Sequence, residues 1–238
     1  MGPISKRVAV IIAVAAFAAL PAFADTFTSS SSFNSAISGM SGVTTASFDT
    51  DTPGDIAQGA TVDGITFNYN IDGGLGSLAI SNLFDTTSGT NYLGSDDPTT
   101  GALFPGDSIT MSFASPVNAL GLFIIGGPYS DGDFTLDIGT DTALSSSVLE
   151  ETLGDGGEVI FLGITSTTGF SSATLSLDSG AFELWNVDDI TTAGGTPGTG
   201  GGGVPTPEPS TVVLLAAGLA VCARRARKLR AAQAGLFS

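Results

Sequence analysis

The chain has 238 residues, of which 23 are acidic and seven basic, with no histidine, one cysteine and a formal net charge of −16 at neutral pH. All seven basic residues lie in its first seven residues or between residues 224 and 230. The middle of the chain is therefore purely anionic, which excludes nucleic acid and anionic lipid as partners. It also lacks the histidine and cysteine of hydrolase sites based on serine–histidine pairs, cysteine–histidine pairs or zinc, so we expect no enzyme.

The N-terminus has the parts of a secretory signal. Lys6 and Arg7 precede an uncharged apolar run over residues 8–20, and small residues at Ala22 and Ala24 form a cleavage pattern. This predicts a signal helix in the first 24 residues, exported by the Sec machinery and cut by signal peptidase.

Cleavage is expected before Asp25, where the exported chain would begin. The alternative is an uncleaved anchor. It is disfavoured because Pro21 breaks the helix just before the cleavage pattern.

Residues 25–193 are predicted to form an acidic antiparallel β-sandwich, jelly-roll-like in kind. Residues 25–42 are Ser-rich and stay unassigned, but later segments alternate apolar and small polar residues, as half-buried strands do. Residues 119–125 are apolar on both faces and predict a central, doubly covered strand. About nine or ten short strands are expected, and the absence of a fixed repeat disfavours a barrel or solenoid. The clearest alternating segments are residues 62–69, 78–83, 109–113, 134–138, 159–164, 173–177 and 182–190.

The C-terminal part begins with a Gly-rich stretch over residues 194–204, which predicts a flexible linker. An extended Pro-rich turn follows and then an apolar run over residues 212–223, which as a short hydrophobic helix would span about 18 Å, against roughly 30 Å for a bilayer core. The basic cluster after it would keep this end, including a tail over residues 231–238, in the cytoplasm. That cluster consists of Arg224, Arg225, Arg227, Lys228 and Arg230.

Residues 205–230 resemble the PEP-CTERM sorting signals of Gram-negative bacteria, in which a Pro-Glu-Pro box, a short hydrophobic helix and a basic finish occur in this order. The box residues are Pro207, Glu208, Pro209 and Ser210. The resemblance implies processing by an exosortase-type membrane peptidase. The protein would be tethered transiently at the inner membrane and then reach the cell surface or the medium. A tail anchor that is never cut is the alternative.

The middle of the chain is also similar to the jelly-roll ectodomains often joined to such tails. The similarity rests on Phe48-Asp49, on residues 64–67 and 109–121, and on the closing residues Asp188-Asp189-Ile190. It implies a lectin-like or matrix role. We therefore expect a cell-surface or extracellular-matrix protein associated with exopolysaccharide or biofilm. The alternative is a lectin-like, carbohydrate-binding module, and the sequence leaves open whether calcium assists the binding.

Few residues in the exported part suggest a ligand. Tyr92 and Tyr129 stand beside turn residues and are the aromatic candidates for an exposed sugar contact, whereas Trp185 fits a core position better. Asp131 and Asp133 have a spacing that could begin a calcium shell, although solvated turn residues explain them more simply. No cofactor is otherwise expected.

Carboxylate pairs of the kind used by glycosidases are also present. Examples are Glu150 with Glu151, and Glu158. Such sites normally rely on cations to tune their carboxylates, and this part of the chain has none. We therefore expect no catalytic residues.

Overall fold

A computed structural model describes residues 24–178 and 183–195. The expected signal helix, most of the linker, the sorting signal and the basic tail lie outside the described residues. Within the described part, the α-helix has eight residues, and no helix is long and apolar enough to cross a membrane.

The described residues form an all-β domain with one short α-helix and one 3-10 turn. Helix α1 is Ser30–Ile37, and the 3-10 turn is Asp72–Gly74. The strands are β1 (Asp25–Phe27), β2 (Ser41–Ala46), β3 (Gly54–Ile56), β4 (Thr61–Val62), β5 (Ile65–Asn70), β6 (Leu78–Ser81), β7 (Tyr92–Ser95), β8 (Ser108–Gly126), β9 (Phe134–Asp137), β10 (Thr142–Leu144), β11 (Glu151–Thr152), β12 (Glu158–Leu177) and β13 (Trp185–Gly194).

Every strand pair between these elements is antiparallel, as predicted. The main path runs β10-β9-β12-β8-β13-β7-β6-β3, while β1 and β11 pair with β12, β2 pairs with β13, and the β4–β5 hairpin joins β8 through β5. The 19-residue β8 and the 20-residue β12 lie at its centre and pair along almost their whole length.

This long pair folds over to make a sandwich. Trp185 pairs at the Gly126 end of β8, and Phe134 pairs with Leu177 at the opposite end of the β8–β12 ladder. The two ends of a straight ladder of this length would lie about 60 Å apart. Yet the rings of Phe134 and Trp185 meet edge to face at 5.3 Å between centroids. The halves of the pair must therefore face each other across one core, and the register shifts between Thr165 and Ser172 mark the bend.

The predicted central strand is confirmed as the second half of β8. Leu120, Leu122 and Ile124 point into the main core, whereas Ala119 and Phe123 belong to a smaller cluster on the other face. Both faces are covered, which explains why this segment does not alternate between apolar and polar residues. Trp185 is also fully buried, as its sequence context predicted.

Helix α1 covers that outer face, in the stretch that the sequence left unassigned. Gly121 of β8 and Gly163 of β12 lie opposite each other and form a notch for the Phe33 ring. A Cβ on either glycine would lie within 3 Å of that ring. Glu150 caps the helix from a distant loop, because the Ser30 amide and hydroxyl donate to its two carboxylate oxygens at 2.7 and 2.8 Å.

Three strand predictions need correction. Residues 62–69 do not form one strand, because Asp63 and Gly64 adopt positive φ values of 49° and 81° and turn the chain between β4 and β5. Residues 159–164 and 173–177 are not two strands but one, β12, whose middle alternates exposed positions with the buried Phe170. In the same way, residues 109–113 and 119–125 belong to one strand, β8. Thirteen strands are formed in the described part, two of them long, in place of nine or ten short ones.

Candidate functional site

The two tyrosines expected to contact a ligand are buried, so the prediction that they are exposed was wrong. Tyr92 lies in β7, a strand with four buried residues, and Tyr129 is 7% exposed and packs edge to face on Phe134. Burial raises the pKa of both phenols, and Glu158 and Glu183 raise that of Tyr129 further. Neither ring offers a free face to a sugar. Their neighbouring glycines suggested loops, but these glycines allow close packing instead.

The two aspartates proposed for calcium serve their own loops. Asp131 accepts hydrogen bonds from the Ser147 amide at 2.7 Å and the Ser147 hydroxyl at 2.9 Å, which lower its pKa. Asp133 accepts one from the Ser130 amide at 2.5 Å. Across residues 24–178 and 183–195, no group of three or more histidine, cysteine or acidic residues is arranged to hold a metal ion.

The structure instead brings together two motifs that are far apart in the sequence, Phe48-Asp49 and Asp188-Asp189. Their three carboxylates surround the loop of residues 86–91, and we call Asp49, Asp188 and Asp189 the acid clamp. Asp188 is fully buried in β13 and accepts hydrogen bonds from three successive loop residues. The donors are the Thr86 hydroxyl, the Thr87 hydroxyl at 2.7 Å and the Ser88 amide at 3.1 Å.

The other two carboxylates continue the clamp along the loop. The Ser88 hydroxyl lies 3.0 Å from Asp189 and 3.4 Å from Asp49. Asp49 also accepts hydrogen bonds from the amides of Thr90 at 2.8 Å and Asn91 at 3.2 Å. Hydroxyl and amide donors thus take the place that cations fill in most buried acidic sites.

The backbone is strained where the clamp is built. Phe48 and Asp189 have positive φ values of 61° and 49°, which residues with side chains seldom adopt. Gly89 in the facing loop has φ 52°, and a Cβ there would lie 1.9 Å from Asp49 Oδ1. Strain held in place by the surrounding structure is a common feature of functional regions.

The acids of the clamp differ in their electrostatics. Burial raises the pKa of Asp188 to about 6, and the neighbouring Asp189 contributes in the same direction, against the lowering effect of the Thr86 and Thr87 hydroxyls. Partial burial also acts to raise the pKa of Asp49, but its hydrogen bonds outweigh this, and the net shift is downward. The clamp therefore contains one carboxyl that is readily protonated, that of Asp188, and one that stays ionised, that of Asp49.

Just before residue 86, the same loop presents apolar side chains to solvent between two grooves. Leu83 and Phe84 are 53% and 46% exposed. The first groove, of about 460 Å³, runs along Phe84, Thr90 and Leu153; the second, of about 670 Å³, runs along Phe84, Gly126–Pro128 and Leu184. Phe84 and Asp155 line both, so the grooves adjoin.

Two carboxylates fix this loop to the turn of residues 154–157, which also lines the grooves. The Asp85 amide donates to Asp155 Oδ2 at 3.1 Å, and the Asp155 amide donates to Asp85 Oδ2 at 3.0 Å. The groove walls can therefore accept hydrogen bonds through carboxylates but offer no cationic side chain, because the exported part contains none. The sequence pattern does not single out Phe84, because it predicts a strand over residues 78–83, whereas β6 ends at Ser81 and the exposed loop begins there. The polar run after Phe84 was the available signal for an exposed loop.

Comparison with known proteins bears on the other end of the chain. The profile of the PEP-CTERM protein-sorting motif matches residues 205–228. The chain carries a PEP-CTERM sorting signal. The signal confirms the resemblance drawn from the Pro-Glu-Pro box, and it makes the chain an exported protein that is associated with the membrane before an exosortase-type peptidase processes it. Since β13 ends at Gly194, residues 195–204 separate the PEP-CTERM signal from the last strand.

Other comparisons add little. No curated protein matches the chain. Among solved structures, the catalytic domain of a GH87 α-1,3-glucanase variant in complex with tetrasaccharides has a TM-score of 0.30 and 13% identity over 63% of this chain. The aligned region spans 31% of that protein, and a likeness this low bears on neither fold nor function.

Proposed function

We propose that this protein is a non-catalytic component of the cell surface or extracellular matrix, delivered by its PEP-CTERM signal. The observation that carries the proposal is the order of parts along the chain. An all-β domain ends at residue 194, a Gly-rich spacer follows, and the sorting signal begins at residue 205. Gly-rich sequences of this length serve as spacers between a folded domain and a membrane-directed segment, and in this proposal the spacer gives a membrane peptidase access to the signal.

The chemistry of the domain supports a matrix role. All 23 acids lie between Asp25 and Glu208, a stretch without lysine, arginine or histidine. Such a polyanion stays soluble and resists self-association. The expected association with exopolysaccharide is part of this proposal, and so is export by the Sec machinery with removal of the signal peptide before Asp25.

Mass spectrometry of the protein recovered from its native host tests the proposal. We expect a mature N-terminus at Asp25, a C-terminus near the Pro-Glu-Pro box, and the bulk of the protein at the surface or in the medium. Replacing Glu208 by Ala should leave an unprocessed form in the membrane fraction. The matched control Thr199→Ala, in the linker, should be processed normally. Recovery of the intact chain as the stable wild-type form would contradict the proposal.

A carbohydrate-binding module is the second candidate. Burial of Tyr92 and Tyr129 removes the contacts first expected for it, but the exposed Phe84 between two grooves supplies a different one.

A further inference from the structure

We propose that the two adjoining grooves beside Phe84 bind a neutral oligosaccharide. This inference deepens the proposed surface role and rests on it, because the ligand would be a glycan outside the cell. The site consists of the Phe84 ridge, the Asp85–Asp155 link and the groove walls on either side.

The first argument is the exposed apolar surface at the ridge. Leu83 and Phe84 are adjacent and about half exposed, and Leu184, which lines the second groove, is also exposed. Apolar side chains of this size are more stable when buried. An aromatic ring between two concave surfaces offers a flat apolar face to the C–H face of a sugar ring, and the volumes of the two grooves, about 460 and 670 Å³, suit more than one sugar unit.

The second argument is that the ridge is held in a fixed position. On its C-terminal side the acid clamp binds Thr86, Thr87 and Ser88, and across the grooves the two amide-to-carboxylate hydrogen bonds join Asp85 to Asp155. A loop that is already ordered loses little conformational entropy on binding, which favours affinity. The clamp thus has a function in this proposal: it preorganises the loop that carries Phe84.

The third argument is the charge of the walls, which selects the class of ligand. Asp85 and Asp155 line the first groove, and Asp155 also lines the second. Carboxylates accept hydrogen bonds from sugar hydroxyls, and each carboxylate has more acceptor positions than the amide bonds occupy. With no cation in the exported part, a glycan bearing uronate, sulfate or phosphate would be repelled. The ligand class is therefore neutral, built from sugars with free hydroxyls.

Binding of the full chain to a glycan array provides the test, followed by calorimetry with the neutral oligosaccharides that bind. The detergent should have no sugar head group. We expect saturable binding to neutral glycans and none to polyuronates. Phe84→Ala should weaken it by about tenfold to a hundredfold, since it removes the apolar contact. Leu75→Ala, which truncates an exposed side chain outside both grooves, should leave it unchanged.

A second variant tests the charge selection. Asp155→Asn removes the charge and also one of the two carboxylate acceptors, which hold the amides of Asp85 and Gly157. The absolute affinity for neutral glycans should therefore fall, but the ratio of polyuronate affinity to neutral-glycan affinity should rise above that of the wild type. Equal binding of anionic and neutral glycans by the wild type would overturn the proposal. So would an unchanged affinity in Phe84→Ala, binding only to peptides, or no glycan binding at all.

The failure of this inference can be told apart from failure of the proposed function. Phe84→Ala should be exported and processed like the wild type, because Phe84 lies far from the sorting signal in sequence and its side chain is exposed. If the Phe84→Ala variant loses glycan binding but is exported normally, both proposals stand. Glycan binding by a wild-type chain that stays intact in the membrane would overturn the proposed function alone.

Discussion

Two elements that are not strands are attached to this sheet by opposite means. Helix α1 lies against the outer face of β8 and β12, where the nearly fully buried Phe33 enters a notch formed by Gly121 and Gly163. The loop of residues 86–91 is attached to β13 by the acid clamp, through hydroxyls and amides. The helix contact rests on apolar burial and shape, and the loop contact on buried negative charge without a cation.

The difference shows how a domain without basic residues can organise its polar side. A buried carboxylate usually requires a cation or several hydrogen-bond donors. Here Thr86, Thr87 and Ser88 provide three donors to Asp188 from consecutive positions. The loop attachment is specific in geometry but sensitive to protonation, whereas the packing of Phe33 in its notch involves no titratable group.

The largest expected effect is at the helix. Phe33→Ala should lower the free energy of unfolding by about 3–5 kcal/mol, because it empties the notch and removes the ring contacts with Phe27 and Phe161. Phe84→Ala deletes the same group from an exposed position and should cost about 0.5 kcal/mol or less. Urea unfolding of the two variants measures the difference, and similar costs would contradict the packing described for α1.

The second effect concerns the loop and pH. The pKa of Asp188 is raised from 3.8 to about 6 in the folded protein. Between these pH values the folded state binds more protons than the unfolded state, so the contribution of Asp188 to stability is full below pH 3.8 and is lost as pH rises through 6. The loss is at most about 3 kcal/mol. Burial also raises the pKa of Asp107, which adds to the same trend.

Urea unfolding between pH 4 and 7 measures this effect. Asp188→Asn should show a smaller fall in stability over that interval than the wild type, since the variant has no proton to lose. Asp97→Asn is the matched control. Hydrogen bonds from the Thr100 and Thr99 amides lower the pKa of Asp97, so this residue stabilises the fold above its ordinary pKa and loses that contribution only in more acidic solution. The assignment would be refuted if the free energy of unfolding rose from pH 4 to 7 by the same amount in the wild type and in both variants.

The sequence predicts strands whose burial leaves a regular local pattern of apolar residues. It does not predict features that depend on contacts between distant residues. The apolar run at residues 119–125 identified the doubly covered strand because burial on both faces leaves a local signature. Phe33 and Ile37 did not define α1, since an eight-residue helix has too few turns for a clear period, and its cap, Glu150, comes from 120 residues away.

The same limit applies to the candidate site. Phe48-Asp49 and Asp188-Asp189-Ile190 were singled out through a resemblance, but their meeting on one loop depends on tertiary structure. Tyr92 and Tyr129 were misplaced because their glycine neighbours are typical of exposed turns, whereas here the glycines allow buried rings to approach the backbone. The sorting signal needed no tertiary contacts to be recognised, and its prediction is confirmed over residues 205–228.

The smallest expected effect on stability is at Gly89, where a substitution should loosen the loop but leave helix α1 unchanged. Gly89→Ala should cost about 1–3 kcal/mol, because the added Cβ would collide with Asp49 Oδ1 and because φ is 52° at that position. Gly42→Ala is the matched control: its φ is 61°, but no atom lies within 4 Å of the added Cβ, so it reports the backbone cost alone.

Hydrogen exchange should show faster exchange of the Thr90 and Asn91 amides in Gly89→Ala, since both donate to Asp49. The amides of α1 should exchange as in the wild type, because the notch that holds Phe33 does not depend on the clamp. Equal exchange at Thr90 and Asn91 in both glycine variants would mean that Asp49 does not hold the loop.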